Sequence, residues 1–381
     1  MARVFRIFLD IGPLQEQEFT GISQVTAKAA EGLLGDSEIE AQFIFGDFIV
    51  PKKVVESLLY HRNGSFFRYH FGAGDLDYAD VRSLVIAPND RVACLYPNVK
   101  TSRNFFPIES QIIHDISTLL VPEYHTEETI RYHAYSLAED LATNDITFCV
   151  SEATRNDIVT YFDVPKKQTR ISYLGSDVVP AKAALEGGGE PYILVLGTLE
   201  PRKNLSLVLH MLSKHPELLT VYRVLVVGRV GWGEEFQVML WEAGLADPFR
   251  SGRLQFLGFV DEGDKCSLIQ NASLMIYPSM FEGFGLPVLE ALSLATPVVT
   301  SFSSSLPEVG GGAAYYCDPT HADSLWNAVL HAIGDIETRP VSVSASCLRQ
   351  ASKFSWKDFY QTLKGGLIEA HVEKFGQGGE L

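Results

Sequence analysis

Two carboxylates and two cations hold most of the chemistry this sequence can offer. Glu282 and Glu290 flank a glycine turn in Ser279-Met280-Phe281-Glu282-Gly283-Phe284-Gly285-Leu286-Pro287-Val288-Leu289-Glu290, with seven residues between them. Leu274–Tyr277 reads as a short buried strand, Gly283 and Gly285 permit a tight turn, and Pro287 suits the first turn of a helix. Such a helix start, around Phe284, Gly285 and Leu286, aims free N–H groups and the positive end of its dipole into the turn. A diphosphate fits there while Glu282 and Glu290 reach hydroxyls on either side, an arrangement that suits a sugar nucleotide. Ordinary strand–helix packing also uses glycine turns. Upstream, the apolar run Tyr192–Leu196 leads into Gly197-Thr198-Leu199-Glu200-Pro201-Arg202-Lys203-Asn204, which delivers two adjacent cations at the start of the next helix. A planar guanidinium beside a compact ammonium matches a diphosphate, although solvated loop cations are common.

Other candidates are weaker. His114 ends the apolar run Gln111-Ile112-Ile113 and precedes Asp115, so it is either a structural histidine or one that faces a ligand from the end of a strand. His125 and His133 lie eight residues apart and lack the close spacing of helical metal ligands, so no metal is assigned. Asp75-Leu76-Asp77 has the spacing of an Asp-x-Asp metal site, which arises often by chance in acidic loops. Gly228-Arg229-Val230-Gly231-Trp232-Gly233 follows a strand but departs from the Gly-x-Gly-x-x-Gly fingerprint, and the resemblance given below makes it a loop lining the donor pocket.

Strands alternating with helical stretches must position these residues. Candidate strands are Val4–Ile11, Ala41–Phe45, Val92–Tyr96, Gln111–Asp115, Ile146–Val150 and Arg170–Tyr173, then Tyr192–Leu196, Arg223–Val227, Leu254–Leu257, Leu274–Tyr277, Pro297–Thr300 and Ala314–Cys317. Helices are expected at Ile22–Leu34, Thr126–Thr143 and Glu152–Phe162 and between the later strands. This is the pattern of two doubly wound α/β domains with parallel sheets, and 381 residues accommodate two domains of roughly 170–190. The expected division is an N-terminal domain over 1–175, a linker over 176–190 with Pro180 and Gly187-Gly188-Gly189, a C-terminal domain over 191–355 and a last helix in 356–381 that opens at Ser355. Residues 48–90 stay ambiguous: Phe66-Phe67-Arg68-Tyr69-His70 and the acidic stretch Asp75–Asp80 suit an insertion or an irregular surface equally.

Hydrophobic residues at 46% and charged residues at 20% describe a globular chain, and a formal charge of −16 opposes general binding to nucleic acid or an anionic membrane. Five scattered cysteines without a Cys-x-x-Cys pair read as reduced core thiols. The N-terminal run carries charge and no cleavage signal, so it reads as a first strand, and a cytoplasmic location is expected.

The chain resembles the retaining, nucleotide-sugar-dependent glycosyltransferases of family four, which have two Rossmann-like domains facing a central cleft (GT-B). The resemblance rests on Gly197–Asn204, on the Glu282/Glu290 pair, on Pro307-Glu308-Val309-Gly310-Gly311-Gly312-Ala313-Ala314 and on Phe256-Leu257-Gly258-Phe259-Val260. In the N-terminal half it rests on Thr20-Gly21-Ile22, His114-Asp115 and Val150-Ser151-Glu152-Ala153-Thr154. It implies a hexose moved from a nucleotide sugar to a polysaccharide or lipid-linked oligosaccharide without a metal or other cofactor. Mannose from GDP-mannose is suggested because Gly197–Asn204 and Gly228–Trp232 are similar to bacterial surface-polysaccharide mannosyltransferases. A sugar phosphorylase, a nucleotide-sugar epimerase and a non-catalytic nucleotide-sugar-binding subunit are the alternatives.

By the same resemblance His114 hydrogen-bonds the transferred sugar, Glu282 orients its hydroxyls and Glu290 holds the ribose. Arg202, Lys203 and the turn at Phe284, Gly285 and Leu286 take the diphosphate, Gly21 approaches it through backbone, and Val260 lies at the base. The last helix is expected to return to the N-terminal domain, and peripheral contact of that domain with the inner face of a membrane is a further option.

Overall fold

The computed structural model describes residues 4–16, 19–62, 79–178, 190–233 and 235–376. Asp75-Leu76-Asp77, Phe66–His70 and the linker glycines 187–189 lie outside them. The described chain divides into two compact units, the first comprising Met1–Leu120, Glu127–Leu174 and Trp356–Leu381 and the second Val121–Thr126 and Gly175–Ser355.

The first unit is built on strands β1 (Phe5–Asp10), β2 (Ile39–Phe45), β3 (Phe48–Val50), β4 (Val92–Tyr96), β5 (Ile108–Ile113), β6 (Ile146–Cys149) and β7 (Thr169–Ile171). Their spatial order is β3-β2-β1-β4-β5-β6-β7, and all neighbours are parallel except β2 and β3. Strands β4, β5 and β6 are buried along their whole length, as parallel strands covered by helices on both faces must be. Where β5 carries polar residues they are satisfied: Glu109 accepts from Lys100 Nζ at 2.6 Å and from Phe105 N at 2.7 Å. The antiparallel β3 and the helix Lys52–His61 occupy the start of the stretch that the sequence left ambiguous.

The helix Trp356–Phe375 packs on this first unit. Tyr360 Oη and Lys364 Nζ donate to Asp36 at 2.8 and 2.7 Å, and Lys374 Nζ donates to Asp145 at 2.7 Å. At Gly366 the helix approaches β6 so closely that a Cβ would stand 2.8 Å from both Ile146 Cδ1 and Phe148 Cε1, whereas at Gly365 it would meet open space. Gly366→Leu is therefore expected to destabilise the first unit by about 1–3 kcal/mol through overpacking. Gly365→Ala should stabilise the same helix by up to about 1 kcal/mol, because alanine replaces a poor helix former. Urea unfolding of both variants checks the pair; equal midpoints would mean that the close helix–strand contact is wrong.

The second unit has strands β8 (Tyr192–Leu196), β9 (Arg223–Val227), β10 (Leu254–Gly258), β11 (Leu274–Tyr277), β12 (Val298–Ser301) and β13 (Tyr315–Cys317), in the spatial order β10-β9-β8-β11-β12-β13. All neighbours are parallel, with Val195 opposite Ile276 and Val226. The core between sheet and helices gathers Ile193, Val195, Val224, Val226, Leu274 and Ile276 with Val208, Met211 and Leu212 of the helix Leu205–Lys214. Strand order reverses between β8 and β11, so the loops that follow these two strands leave the sheet side by side. That switch point is where open parallel sheets leave a crevice for ligands.

Candidate functional site

The loop after β8 is anchored before it turns. Leu199 N donates to Arg229 O at 2.8 Å and Gly231 N to Leu199 O at 3.1 Å, so the Gly228–Gly233 segment braces the loop that bears the cations. Pro201–Lys203 forms one 3₁₀ turn, and Asn204, in the left-handed region at φ 62°, starts the helix Leu205–Lys214. Its side-chain amide donates to Pro278 O at 3.1 Å and to Pro319 O at 2.8 Å, tying this loop to the one after β11. Asparagine tolerates that backbone conformation and supplies the donor, and both properties are used here.

Glu282 enters from the loop after β11 and gathers the charges. Its Oε1 accepts from Lys203 Nζ at 2.6 Å, Ser279 Oγ at 2.6 Å and Tyr277 Oη at 2.8 Å, while Oε2 accepts from Arg202 Nη1 at 3.1 Å. Arg202 also donates to Phe281 O at 2.7 Å and to Glu200 at 2.9 Å, and Lys203 to Tyr277 Oη at 2.8 Å. Glu282 is 8% exposed. Burial is the largest influence on its carboxyl and pushes the pKa up; Lys203 and Arg202 overcome it and hold the group at about 2. The sequence placed Glu282 against a sugar, yet in this structure its oxygens are engaged by the protein's own cations and hydroxyls.

Glu290 sits on the next helix, Leu286–Ser293, and is 5% exposed. Gly285 starts this helix at φ 100°, and a Cβ there would stand 2.7 Å from Leu306 Cδ2, so both the backbone conformation and the space demand glycine. Leu286 is the first helical residue, whereas the Phe284 ring is core and packs edge-on against Phe354. Glu290 Oε1 accepts from Lys265 Nζ at 3.0 Å. Lys265 belongs to the helix Glu262–Asn271, whose N-cap Asp261 directly follows Phe259 and Val260. Phe259 is exposed beneath the Arg229 guanidinium, 4.6 Å from its ring centre, and Val260 is half-buried.

The remaining candidates belong to the first unit. His114 follows β5 and bonds through Nε2 to Pro97 O at 2.8 Å. A carbonyl only accepts, so Nε2 carries the proton and Nδ1 is the acceptor. Burial, only partly opposed by Pro97, pushes this imidazole below its ordinary pKa and keeps it neutral. The Ser151–Thr154 stretch caps the helix Glu152–Phe162, Ser151 Oγ accepting from Thr154 N at 3.0 Å, and Thr154 Oγ1 fixes His114 by donating to its carbonyl at 3.1 Å. Asp115 accepts from Ser117 N at 2.9 Å and Oγ at 2.6 Å, so it caps a turn.

Gly21 is the first residue of the helix Gly21–Gly35, where Thr20 and Ser23 form a reciprocal cap. Ser23 Oγ donates to Glu16 at 2.6 Å, which puts a carboxylate at the helix end where a phosphate contact was expected. Among the described residues no cluster of three or more His, Cys, Asp or Glu is placed to hold a metal.

The family model described as glycosyl transferases group 1 matches residues 181–341, which contain the cation pair and both glutamates. That segment carries a glycosyl transferases group 1 domain. The chain is 35% identical over 256 residues to O-antigen chain mannosyltransferase B of Escherichia coli, a match that spans 64% of this chain and 66%, just under two thirds, of that relative. Among solved structures it resembles sucrose-phosphate synthase from Thermosynechococcus elongatus, with a TM-score of 0.70 at 17% identity over 97% of this chain and 99% of that one. It also resembles Anabaena HepE in complex with UDP-glucose, with a TM-score of 0.67 at 17% identity over 96% and 99% of the two chains. At such identities the likeness establishes the fold, which is the GT-B class expected from the sequence.

Sequence reasoning did not find Lys265, nor the hydroxyls of Tyr277 and Ser279 that share Glu282. Lys265 carried no spacing signal, since its partner Glu290 lies 25 residues away on another helix.

Proposed function

We propose that the protein is a retaining hexosyltransferase, moving mannose from GDP-mannose to a polysaccharide or lipid-linked oligosaccharide. The observation that carries this reading is the Arg202–Lys203 pair clasped by Glu282 at the switch point of the second sheet, beside the start of the helix Leu286–Ser293. Two carboxylates, Glu200 and Glu282, balance the two cations. A diphosphate therefore competes for guanidinium and ammonium protons that are already oriented. Lys203 has three ammonium protons and spends two on Tyr277 and Glu282, which leaves the third for a phosphate oxygen. The mannosyltransferase relative supports the choice of sugar, and the HepE complex supports a nucleotide-sugar donor.

In this reading cleavage at the anomeric carbon places negative charge on the departing diphosphate, where Lys203, Arg202 and the helix start stabilise it. The cations do this work without a metal. Glu282, with three donors on one oxygen and a guanidinium on the other, is a poor covalent nucleophile and acts by holding the cations. His114, neutral with an acceptor at Nδ1, takes a hydroxyl of the transferred sugar. The acceptor oxygen bonds to the anomeric carbon on the face from which the diphosphate leaves and gives its proton to the departing phosphate oxygen, so the anomeric configuration is retained. A cytoplasmic site at the inner face of a membrane belongs to the same proposal; among the described residues no helix is long and apolar enough to cross a membrane.

Thermal shifts with GDP-mannose, UDP-glucose, ADP-glucose and dTDP-glucose test the donor class. GDP-mannose should raise the melting temperature most and yield a product with the donor's own anomeric configuration by NMR. Absence of a shift with every nucleotide sugar would end this reading, and an inverted product would end its mechanism.

A further inference from the structure

Lys265 is set apart from the other cations of the second unit by its partners. Its ammonium is held between Glu290 Oε1 and Glu262 Oε2, both at 3.0 Å, one carboxylate buried and the other mostly exposed. Glu290 thus spends one oxygen on Lys265, and among the described residues its Oε2 has no hydrogen-bond partner. Lys265 also stands one helical turn beyond Asp261, next to the Phe259-Val260 segment. We propose that Lys265 is a positioning residue for the nucleoside, holding Glu290 as a carboxylate whose Oε2 accepts from a ribose hydroxyl. The inference rests on the reading of Glu290 as the ribose ligand.

The physical need for such a residue is plain. Burial is the largest influence on Glu290 and raises its pKa; Lys265 opposes it by charge and by hydrogen bond, and Glu262 adds a smaller push upward. Lys265 in turn is pulled down by burial and lifted further by Glu290 and Glu262, so it keeps its proton. The Cys266 thiol, on the same helix, feels Glu290 and Lys265. The other elements packed on the Glu290 helix, namely Leu306–Gly310, Pro340–Ala351, β11 and β12, add no group to those acting on it. A neutral Glu290 would offer a weaker acceptor to the diol, because hydrogen bonds to charged groups are about twice as strong as neutral ones.

Calorimetric binding of GDP and 2′-deoxy-GDP to the full chain, between about pH 5 and pH 8, tests this against the ordinary carboxyl range. The wild-type profile for GDP is the reference, because the terminal phosphate titrates in this range and burial already raises the Glu290 carboxyl. Lys265→Met, which keeps the apolar stem, should weaken GDP roughly tenfold at the acidic end and recover as pH rises and Glu290 ionises. Its preference for GDP over 2′-deoxy-GDP should shrink in parallel, and Lys265→Arg should restore both. In a Glu290→Gln background the methionine change should add nothing. A Lys265→Met protein with the wild-type pH profile and ribose preference, even if less stable, overturns the inference while leaving the proposed function standing. Wild-type protein that binds neither nucleotide overturns that function and this inference with it.

Discussion

Glu282→Gln is expected to cost the second unit about 3 kcal/mol of stability at neutral pH, since its carboxyl is held at about 2 against an ordinary 4.5 and each pKa unit corresponds to about 1.4 kcal/mol. The direction follows from linkage. A carboxylate whose pKa is depressed by folding stabilises the protein fully above its unfolded value, and that contribution disappears as the pH falls from 4.5 toward 2. Wild-type protein should therefore lose stability through that window, and the glutamine variant should lose less of it. Glutamine also leaves Arg202 and Lys203 with one counter-charge, Glu200, in a site where breaking a buried pair is costly. Urea unfolding at neutral pH and near pH 3 measures both effects; equal stability of the two proteins at neutral pH would remove Glu282 from the centre of this network.

Lys203→Ala and Arg202→Ala should each weaken GDP binding by about tenfold to a hundredfold, the equivalent of a charge-assisted hydrogen bond worth roughly 1.5–3 kcal/mol. Lys203→Ala should show the larger loss, because Lys203 holds a proton in reserve for the phosphate. Guanosine serves as the internal control. It lacks the diphosphate, so its affinity should be the same in wild type and both variants, which separates loss of a phosphate contact from general damage to the site. Calorimetry with the two ligands decides it: a matching drop for guanosine and GDP would show that the cations shape the site without touching phosphate.

The parallel core was legible because its strands are buried on both faces and read as unbroken apolar runs. Val92–Tyr96, Tyr192–Leu196, Arg223–Val227 and Leu274–Tyr277 have in the structure the bounds expected from sequence. Strand ends were less clear where polar residues take over the chain. The strand expected at Gln111–Asp115 spans Ile108–Ile113, because Asp115 is drawn into a cap on Ser117 and Glu109 is satisfied by Lys100. The short antiparallel β3 and the helix Lys52–His61 had no such signal, since an edge strand of three residues presents too few positions for a period to show.

The chemical types of the site were written in the chain: a cation pair after one strand, and two glutamates around a glycine turn after another. Their partnership was not. Glu282 meets Arg202 and Lys203 across 80 and 79 residues because β11 lies directly beside β8, with Ile276 opposite Val195, so that the two following loops emerge together. Glu290 meets Lys265 because the helices after β10 and β11 pack on each other. Local residue patterns determine which segments become strands and which turns carry charge, whereas the order in which parallel strands stand in a sheet depends on crossovers that bury the whole core at once. Which cations each carboxylate meets, Arg202 and Lys203 for Glu282 and Lys265 for Glu290, was therefore decided only by the tertiary structure.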